Sequence, residues 1–308
     1  MANRRGARRG SMREHVAEAT LDETLDALIR QLDLEPLEVN LFRGQSSDLG
    51  GRSVFGGQVV GQALMAASRT VEGREPHSLH AYFLSPGDME APIVYEVDRL
   101  RDGRSFAARR VQAIQHGRPI FSMLASFQTP QSGLEHQAPM PNVPRPEELS
   151  SYVELRERWF VEASPVPEIV RGLLGRPIAM DFRPVDPGNP LRPRPTPPLQ
   201  HVWFKTVEPI PADAMLHRCL LAYASDFHLI GTALRPHGMS WYTGHVAMAS
   251  LDHALWFHRD ARVDEWLLYS MDSPTAQGAR GLARGQIFDL GGRLVASVAQ
   301  EGMIRAGG

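Results

Sequence analysis

Two stretches decide how this chain folds: Val54–Val71, VFGGQVVGQALMAASRTV, and Pro211–Asp226, PADAMLHRCLLAYASD. Both read as helices. The first holds Gly56, Gly57, Gly61 and several alanines but no acidic side chain, so it can lie close against a sheet that wraps it. The second starts near Pro211, a favoured first-turn residue, and runs through Met215, Cys219, Ala222 and Tyr223 to Asp226. Met215 and Asp226 are eleven residues apart, and three helical turns take about 10.8, which places the acid on the apolar stripe. A buried carboxylate without partners is costly, so Asp226 is expected to be hydrogen-bonded. A partly buried acid of this kind is a candidate base; the alternative is that it caps a segment beginning at Phe227.

Outward from these helices the chain repeats itself. His80-Ala81 matches His253-Ala254 at an offset of 173, and Arg110, Gln112 and Gly117 match Arg284, Gln286 and Gly291 at 174. Each helix is followed by an aromatic strand and a long hairpin. The first hairpin is Ser105–Ile114 with Ile120–Phe127 around His116-Gly117-Arg118; the second is Arg280–Phe288 with Leu294–Val298 around Gly291-Gly292-Arg293. Glycine breaks between apolar, β-branched runs are hairpin turns. Two helix-plus-antiparallel-sheet copies in one chain imply a fused, pseudo-symmetric pair.

The boundaries are expected at 1–19 for a disordered basic tail, 20–135 for the first copy, 136–199 for a connector and 200–308 for the second copy. Thr20 and Glu23 spell a capping box ahead of the stripe Leu21, Leu25, Leu28, Leu32, read as a peripheral brace. The connector holds fourteen of the 24 prolines between Pro139 and Pro198. It therefore cannot be sheet interior or continuous helix. One helix is expected near Tyr152–Glu162, with Trp159-Phe160 pinning the segment down, as a tether rather than a lid.

Composition excludes several classes. A net charge of -2 lacks the concentrated basic surface of a nucleic-acid binder. One cysteine, Cys219, rules out an intrachain disulfide. No apolar run reaches the roughly 18–20 residues of a membrane-spanning helix, and with no secretory or peroxisomal address the cytoplasm is the expected compartment. His245, His253 and His258 cannot share one metal from one straight strand, because His253 and His258 face opposite sides. The recurrence of His80 and His253 in both copies favours a structural role.

The second copy carries further polar intrusions. Along Leu294–Ile304 the period of two places Leu294, Ala296, Val298, Gln300, Gly302 and Ile304 on one face, so Gln300 is a lone amide on an apolar surface and needs a partner. At the offset of 174 its counterpart is Ser126. Ser250, in a strand read as Val246–Phe257, shares parity with Val246, Met248 and Trp256. The first copy lacks both the acid and the amide, which suggests a single site.

Leu41–Leu64 (LFRGQSSDLGGRSVFGGQVVGQAL), His77–Asp88 (HSLHAYFLSPGD), Arg104–Gln128, Tyr223–Asp226 (YASD), Asp252–His258 (DHALWFH), Glu265–Ser270 (EWLLYS) and Val295–Gly302 (VASVAQEG) resemble the acyl-CoA thioesterase II family, from about Leu25 to Arg305. The resemblance implies an α+β double hot-dog: two tandem copies of a curled antiparallel sheet wrapped around a long helix. It also implies hydrolysis of fatty acyl-CoA to fatty acid and CoA, with no metal, cofactor or acyl-enzyme, by at least a homodimer. The family's catalytic Asp, hydroxyl residue and Gln carry over to Asp226, Ser250 and Gln300; Ser250 stands where the family often has Thr. An acceptor-only carboxylate can take a proton from water that a hydroxyl and an amide hold. Gly57 and Gln58 are candidate sources of oxyanion donors, although packing is the expected role of both. Arg104, Arg109 and Arg110 are weighed for the CoA phosphates and left unassigned. The rival readings are an enoyl-CoA hydratase or dehydratase, which would pair its acid with a catalytic His, and a non-catalytic acyl-CoA carrier.

Overall fold

The computed structural model describes residues 21–307 apart from Arg52. The expected tail of residues 1–19 and the side chains of the Thr20/Glu23 capping box lie outside the described residues. In chain order come α1 (Leu21–Leu32), β1 (Glu35–Glu38), β2 (Leu41–Gly44), α2 (Gly56–Ser68), β3 (Glu75–Phe83), β4 (Ile93–Asp102), β5 (Phe106–Gln115) and β6 (Arg118–Gln128). Then follow α3 (Tyr152–Glu162), α4 (Glu168–Gly175), β7 (Met180–Pro184), β8 (Leu199–Thr206) and α5 (Ala214–Ala224). The last strands are β9 (Val246–Ser250), β10 (Asp252–Phe257), β11 (Leu267–Gln277), β12 (Arg280–Asp289) and β13 (Leu294–Ala306).

The strands form one antiparallel sheet in the order β1-β2-β4-β5-β6-β3-β10-β13-β12-β11-β8-β7, with β9 on the end of β13. Its middle is the pairing of β3 with β10, where Leu79 faces Leu255 and Ala81 faces His253. On either side the order mirrors itself: β4-β5-β6-β3 runs into β10-β13-β12-β11. The double hot-dog expected from the sequence is therefore present, as a continuous sheet that does not close into a barrel.

Inside the curl α2 and α5 run antiparallel against each other, and glycine lets them approach. A Cβ at Gly57 would lie 2.3 Å from the Tyr223 carbonyl oxygen, and one at Gly61 would lie 3.0 Å from that of Cys219. The small residues of α2 thus serve a helix-to-helix contact between the copies, where the sequence suggested contact with the sheet. Helix α1 is also more central than a brace. Leu25, Leu28 and Leu32 are buried in the main core, and the helix packs on both α2 and α5.

The connector contains the expected helix at Tyr152–Glu162, with Trp159 and Phe160 buried. Its prolines still permit β7, an edge strand paired with β8. Edges tolerate proline because one side of the ladder needs no donor.

The register of the ladders corrects the repeat. Arg109 faces Ala125 in the first copy, and Ala283 faces Gln300 in the second. Strand β5 maps onto β12 at an offset of 174 while β6 maps onto β13 at 175, because the second turn is one residue longer. The counterpart of Gln300 is therefore Ala125, where the sequence offset gave Ser126. Likewise His253 corresponds in facing to buried Leu79, and His80 is exposed on the outer face.

Candidate active site

Asp226 lies just past the end of α5 and not on its stripe. The helix begins at Ala214, where the Asp213 carboxylate accepts from the N–H groups of Met215 and Leu216 at 2.8 and 3.1 Å. It ends at Ala224 with Ser225 as C-cap, and the chain turns away through His228, whose φ is 64°. The spacing from Met215 consequently overcounts the helix by two residues. What sets the Asp226 side chain is the other copy. Its Oδ2 accepts from the Gly57 N–H at 2.8 Å, supplying the cap that Phe55 does not give α2. A carboxylate at a helix N-terminus also meets the positive end of the helix dipole. Gly56 leaves room for it, since a Cβ there would be 2.7 Å from Oδ2.

The second oxygen of Asp226 reaches β13: Gln300 Nε2 donates to Oδ1 at 2.6 Å. The same nitrogen is 3.1 Å from Ser250 Oγ and 3.3 Å from His253 Nδ1. The structure thus brings together Asp226, Ser250 and Gln300, three residues far apart in sequence, and adds His253. Gln300 points inward as its parity predicted and is fully buried. Ser250, half-buried, shares its face with Val246 and Met248 as expected but not with Trp256, because Val246–Phe257 is not one strand. The ladder breaks at Leu251, whose N–H goes to Glu301 and whose carbonyl takes the N–H of Phe83. After the break the parity reverses: His253, Leu255 and Phe257 turn inward, and Trp256 packs on His80 outside, ring centroids 5.1 Å apart. That reversal hid His253 from a parity argument.

As an acceptor from Gln300, the Ser250 hydroxyl keeps its own proton for a partner in front of it. In front is a cavity of about 2870 Å³ lined by Asp226 and Ser250, with Phe55, Phe83, Phe182 and Met248 among its apolar walls. Gln300 and His253 stand behind this wall. The connector forms part of it, through Tyr152, Trp159 and the 184–196 run, so the segment read as a tether also shapes the cavity. His228 lines the cavity too, and burial pushes its imidazole down to about 4.

Most other candidates fall away. Gly57 spends its N–H on Asp226; the Gln58 side chain is buried in contacts to Gln45 and Ser47, which leaves the backbone N–H of Gln58 open as an oxyanion donor. Arg109 is 1% exposed and bonded to Thr70 and Asp102, and so is not available to a phosphate; Arg110 is exposed and pairs with Asp98. Burial pushes the Cys219 thiol far up, away from reactivity. Among the described residues no group of three or more His, Cys, Asp or Glu is placed to hold a metal ion, and no helix is long and apolar enough to cross a membrane.

The first copy shows what the site becomes without its acid. Thr70 follows the end of α2 as Asp226 follows that of α5, and its Oγ1 accepts from Arg109 Nε at 2.8 Å. The Arg109 guanidinium, opposite Ala125, fills the interior that Gln300 and Asp226 share in the second copy.

A fold of two fused hot-dogs around one acid-bearing cavity is compatible with a thioesterase, and sequence comparison supplies the class. Residues 45–128 match the acyl-CoA thioesterase N-terminal domain, and residues 187–303 match the acyl-CoA thioesterase family. The chain belongs to this family, as a type II member. It is 45% identical over 279 residues to acyl-CoA thioesterase 2 of Haemophilus influenzae, covering 90% of this chain and 96% of that protein. Identity to human acyl-coenzyme A thioesterase 8 is 41% over 280 residues, or 89% of this chain and 87% of the relative. Among solved structures, the acyl-CoA thioesterase II TesB2 from Mycobacterium marinum is 46% identical with a TM-score of 0.74, covering 91% of this chain and 98% of that one. The protein is accordingly an enzyme that hydrolyses acyl-CoA thioesters.

Proposed function

We propose that hydrolysis of fatty acyl-CoA takes place at Asp226, with Gln300 and Ser250 setting the geometry. The observation that carries this is the convergence of the Gly57 N–H and the Gln300 amide on the Asp226 carboxylate, with Ser250 bonded to the same amide nitrogen, at the wall of an apolar cavity. Asp226 takes a proton from water as the water oxygen bonds to the thioester carbonyl carbon. The carbonyl becomes an oxyanion, which the free O–H of Ser250 can meet. Collapse of the intermediate breaks the C–S bond, and the CoA thiolate recovers the proton from Asp226. Fatty acid and CoA leave, and the carboxylate is restored.

The two ends of the substrate have matching walls. Aromatic and methionine side chains suit the acyl chain. Arg192 and Arg194 suit the CoA phosphates: they line the same cavity on a proline-rich segment and have no ion pair among the described residues. By contrast Arg156, Arg176, Arg183 and Arg235, in the same lining, are paired with Glu157, Asp48, Asp181 and Asp186. Association into at least a homodimer is supported by apolar groups on the outer sheet face, where Tyr82 is 62% and Leu124 48% exposed.

The test is CoA release from decanoyl-CoA and palmitoyl-CoA, followed with a thiol reagent. Asp226→Asn sets an amide nitrogen against one of two N–H donors and should lower kcat by about a thousandfold or more. Release undiminished in that variant excludes Asp226 as base. Hydration of crotonyl-CoA without release would favour a hydratase, and tight binding with neither reaction a carrier.

A further inference from the structure

We propose that His253 is a positioning residue, which acts on Asp226 and Ser250 by fixing the orientation of the Gln300 amide. The inference rests on the hydrolytic reading above and extends it to a group that hydrolysis itself leaves unused.

The hydrogen bonds behind the cavity wall define a direction. Tyr269 O–H donates to the Ser225 carbonyl at 2.8 Å and holds the end of α5 in place. The Ser225 hydroxyl donates to the Ala222 carbonyl at 2.8 Å, one of the last-turn acceptors that a helix leaves without an intrahelical donor. A hydroxyl has one proton. Ser225 Oγ, 2.9 Å from His253 Nε2, must therefore accept from that nitrogen. The ring is fully buried, and burial lowers its pKa against an opposing pull from Asp226, the charged group that acts on it. A neutral imidazole protonated on Nε2 has a bare lone pair on Nδ1, and this faces Gln300 Nε2 at 3.3 Å.

The two protons of the amide nitrogen are then shared among three acceptors, Asp226 Oδ1, Ser250 Oγ and His253 Nδ1. The amide oxygen lies buried with no partner among the described residues, so the contacts of the nitrogen alone set which way round the group stands. Turning it would set oxygen against a carboxylate oxygen at 2.6 Å and against the imidazole lone pair. Asp226 opposes the turn from the front and His253 from behind. The first copy has Leu79 in the equivalent inward position and Ala125 in place of the amide, so the histidine is present where there is an amide to orient.

The experiment compares His253→Leu, of similar volume but without an acceptor, with His253→Asn, whose Oδ1 can stand near the place of Nδ1. Decanoyl-CoA hydrolysis is expected to lose roughly ten- to a hundredfold in kcat in H253L with KM within about twofold, and H253N should recover most of the loss. A folded H253L with wild-type kcat, or an H253N no better than H253L, overturns the proposal. Long-range proton–nitrogen NMR of the wild-type imidazole at pH 7 gives a readout independent of turnover and of how the variants fold. A neutral ring protonated on Nε2 is expected, and an Nδ1-protonated or cationic ring refutes the inference. If the wild type releases no CoA from any acyl-CoA, the functional reading fails instead, and the tautomer remains measurable.

Discussion

Gly56→Ala places one methyl group between a helix start and the carboxylate that caps it. The new Cβ would sit 2.7 Å from Asp226 Oδ2 and 3.0 Å from the edge of the Phe83 ring, against an ordinary contact of 3.4–4 Å. The carboxylate must retreat by about 0.7 Å to reach ordinary contact. If that movement lies along the bond, the Gly57 N–H to Oδ2 distance stretches from 2.8 Å to roughly 3.5 Å, beyond a useful hydrogen bond. A hydrogen bond to a charged group contributes about 1.5–3 kcal/mol, so kcat should fall by roughly 10- to 150-fold. Stability should fall by roughly 0.5–3 kcal/mol, the lost bond less the gain of up to about 1 kcal/mol by which alanine suits a helix better than glycine. The assay is kcat and KM with decanoyl-CoA beside a thermal melt of the same preparation. A G56A protein with kcat within twofold of wild type would refute the claim that Gly57 holds Asp226 in its working position. A collapse of Tm would show that the methyl group disturbs the contact between α2 and α5 and not the acid alone.

Three further outcomes are expected. Since His228 in the fold is held down to about 4 and an unfolded histidine titrates near 6.5, the unfolded chain takes up the proton first as pH falls. Stability contributed above pH 6.5 is then lost towards pH 4, by about 2 kcal/mol at pH 5; urea unfolding should show it, with a shallower pH slope in H228Q. Gly172 lies inside α4 with open space around its missing Cβ, so G172A should stabilise by about 1 kcal/mol and raise Tm by roughly 2 °C. Replacing Arg192 and Arg194 together with alanine should raise KM for acyl-CoA about tenfold, near 1.4 kcal/mol, and leave KM for an acyl-pantetheine without phosphates unchanged; equal effects on both substrates would exclude a phosphate contact.

Much of this architecture was readable in the residues because the hairpins recur with their turns and the polar intrusions fall at the periods of their elements. Gln300 is an amide in an alternating apolar strand, and that alternation holds from Ala296 to Gly302; a bulge at Val295 puts Leu294, expected on the same face, against Trp203, Leu268 and Phe288 on the other. What escaped notice lies where a period breaks. The change of parity at Leu251 turns His253 inward, which no count from Val246 reveals. The extra residue in the second turn shifts the match of β6 with β13 by one and gives Gln300 the wrong counterpart. The helix ends before Asp226, a stop the spacing does not mark, since Ser225 and Asp226 suit a terminus as well as a stripe. Gly56 and Gly57 looked like packing residues; that one spares room for the acid and the other donates to it depends on a contact between segments 169 residues apart, which local pattern cannot contain.

The bond from Gly57 to Asp226 joins the two halves of the polypeptide at the proposed point of chemistry, while Arg109 closes the matching position of the first half. On the proposed reading duplication has left not two interchangeable workstations but one, with its acid furnished by the later half and its anchor by the earlier. Each polypeptide should titrate as a single catalytic equivalent. Neither half produced separately should turn over substrate, and mixing the two should restore activity only when the central pairing of β3 with β10 re-forms.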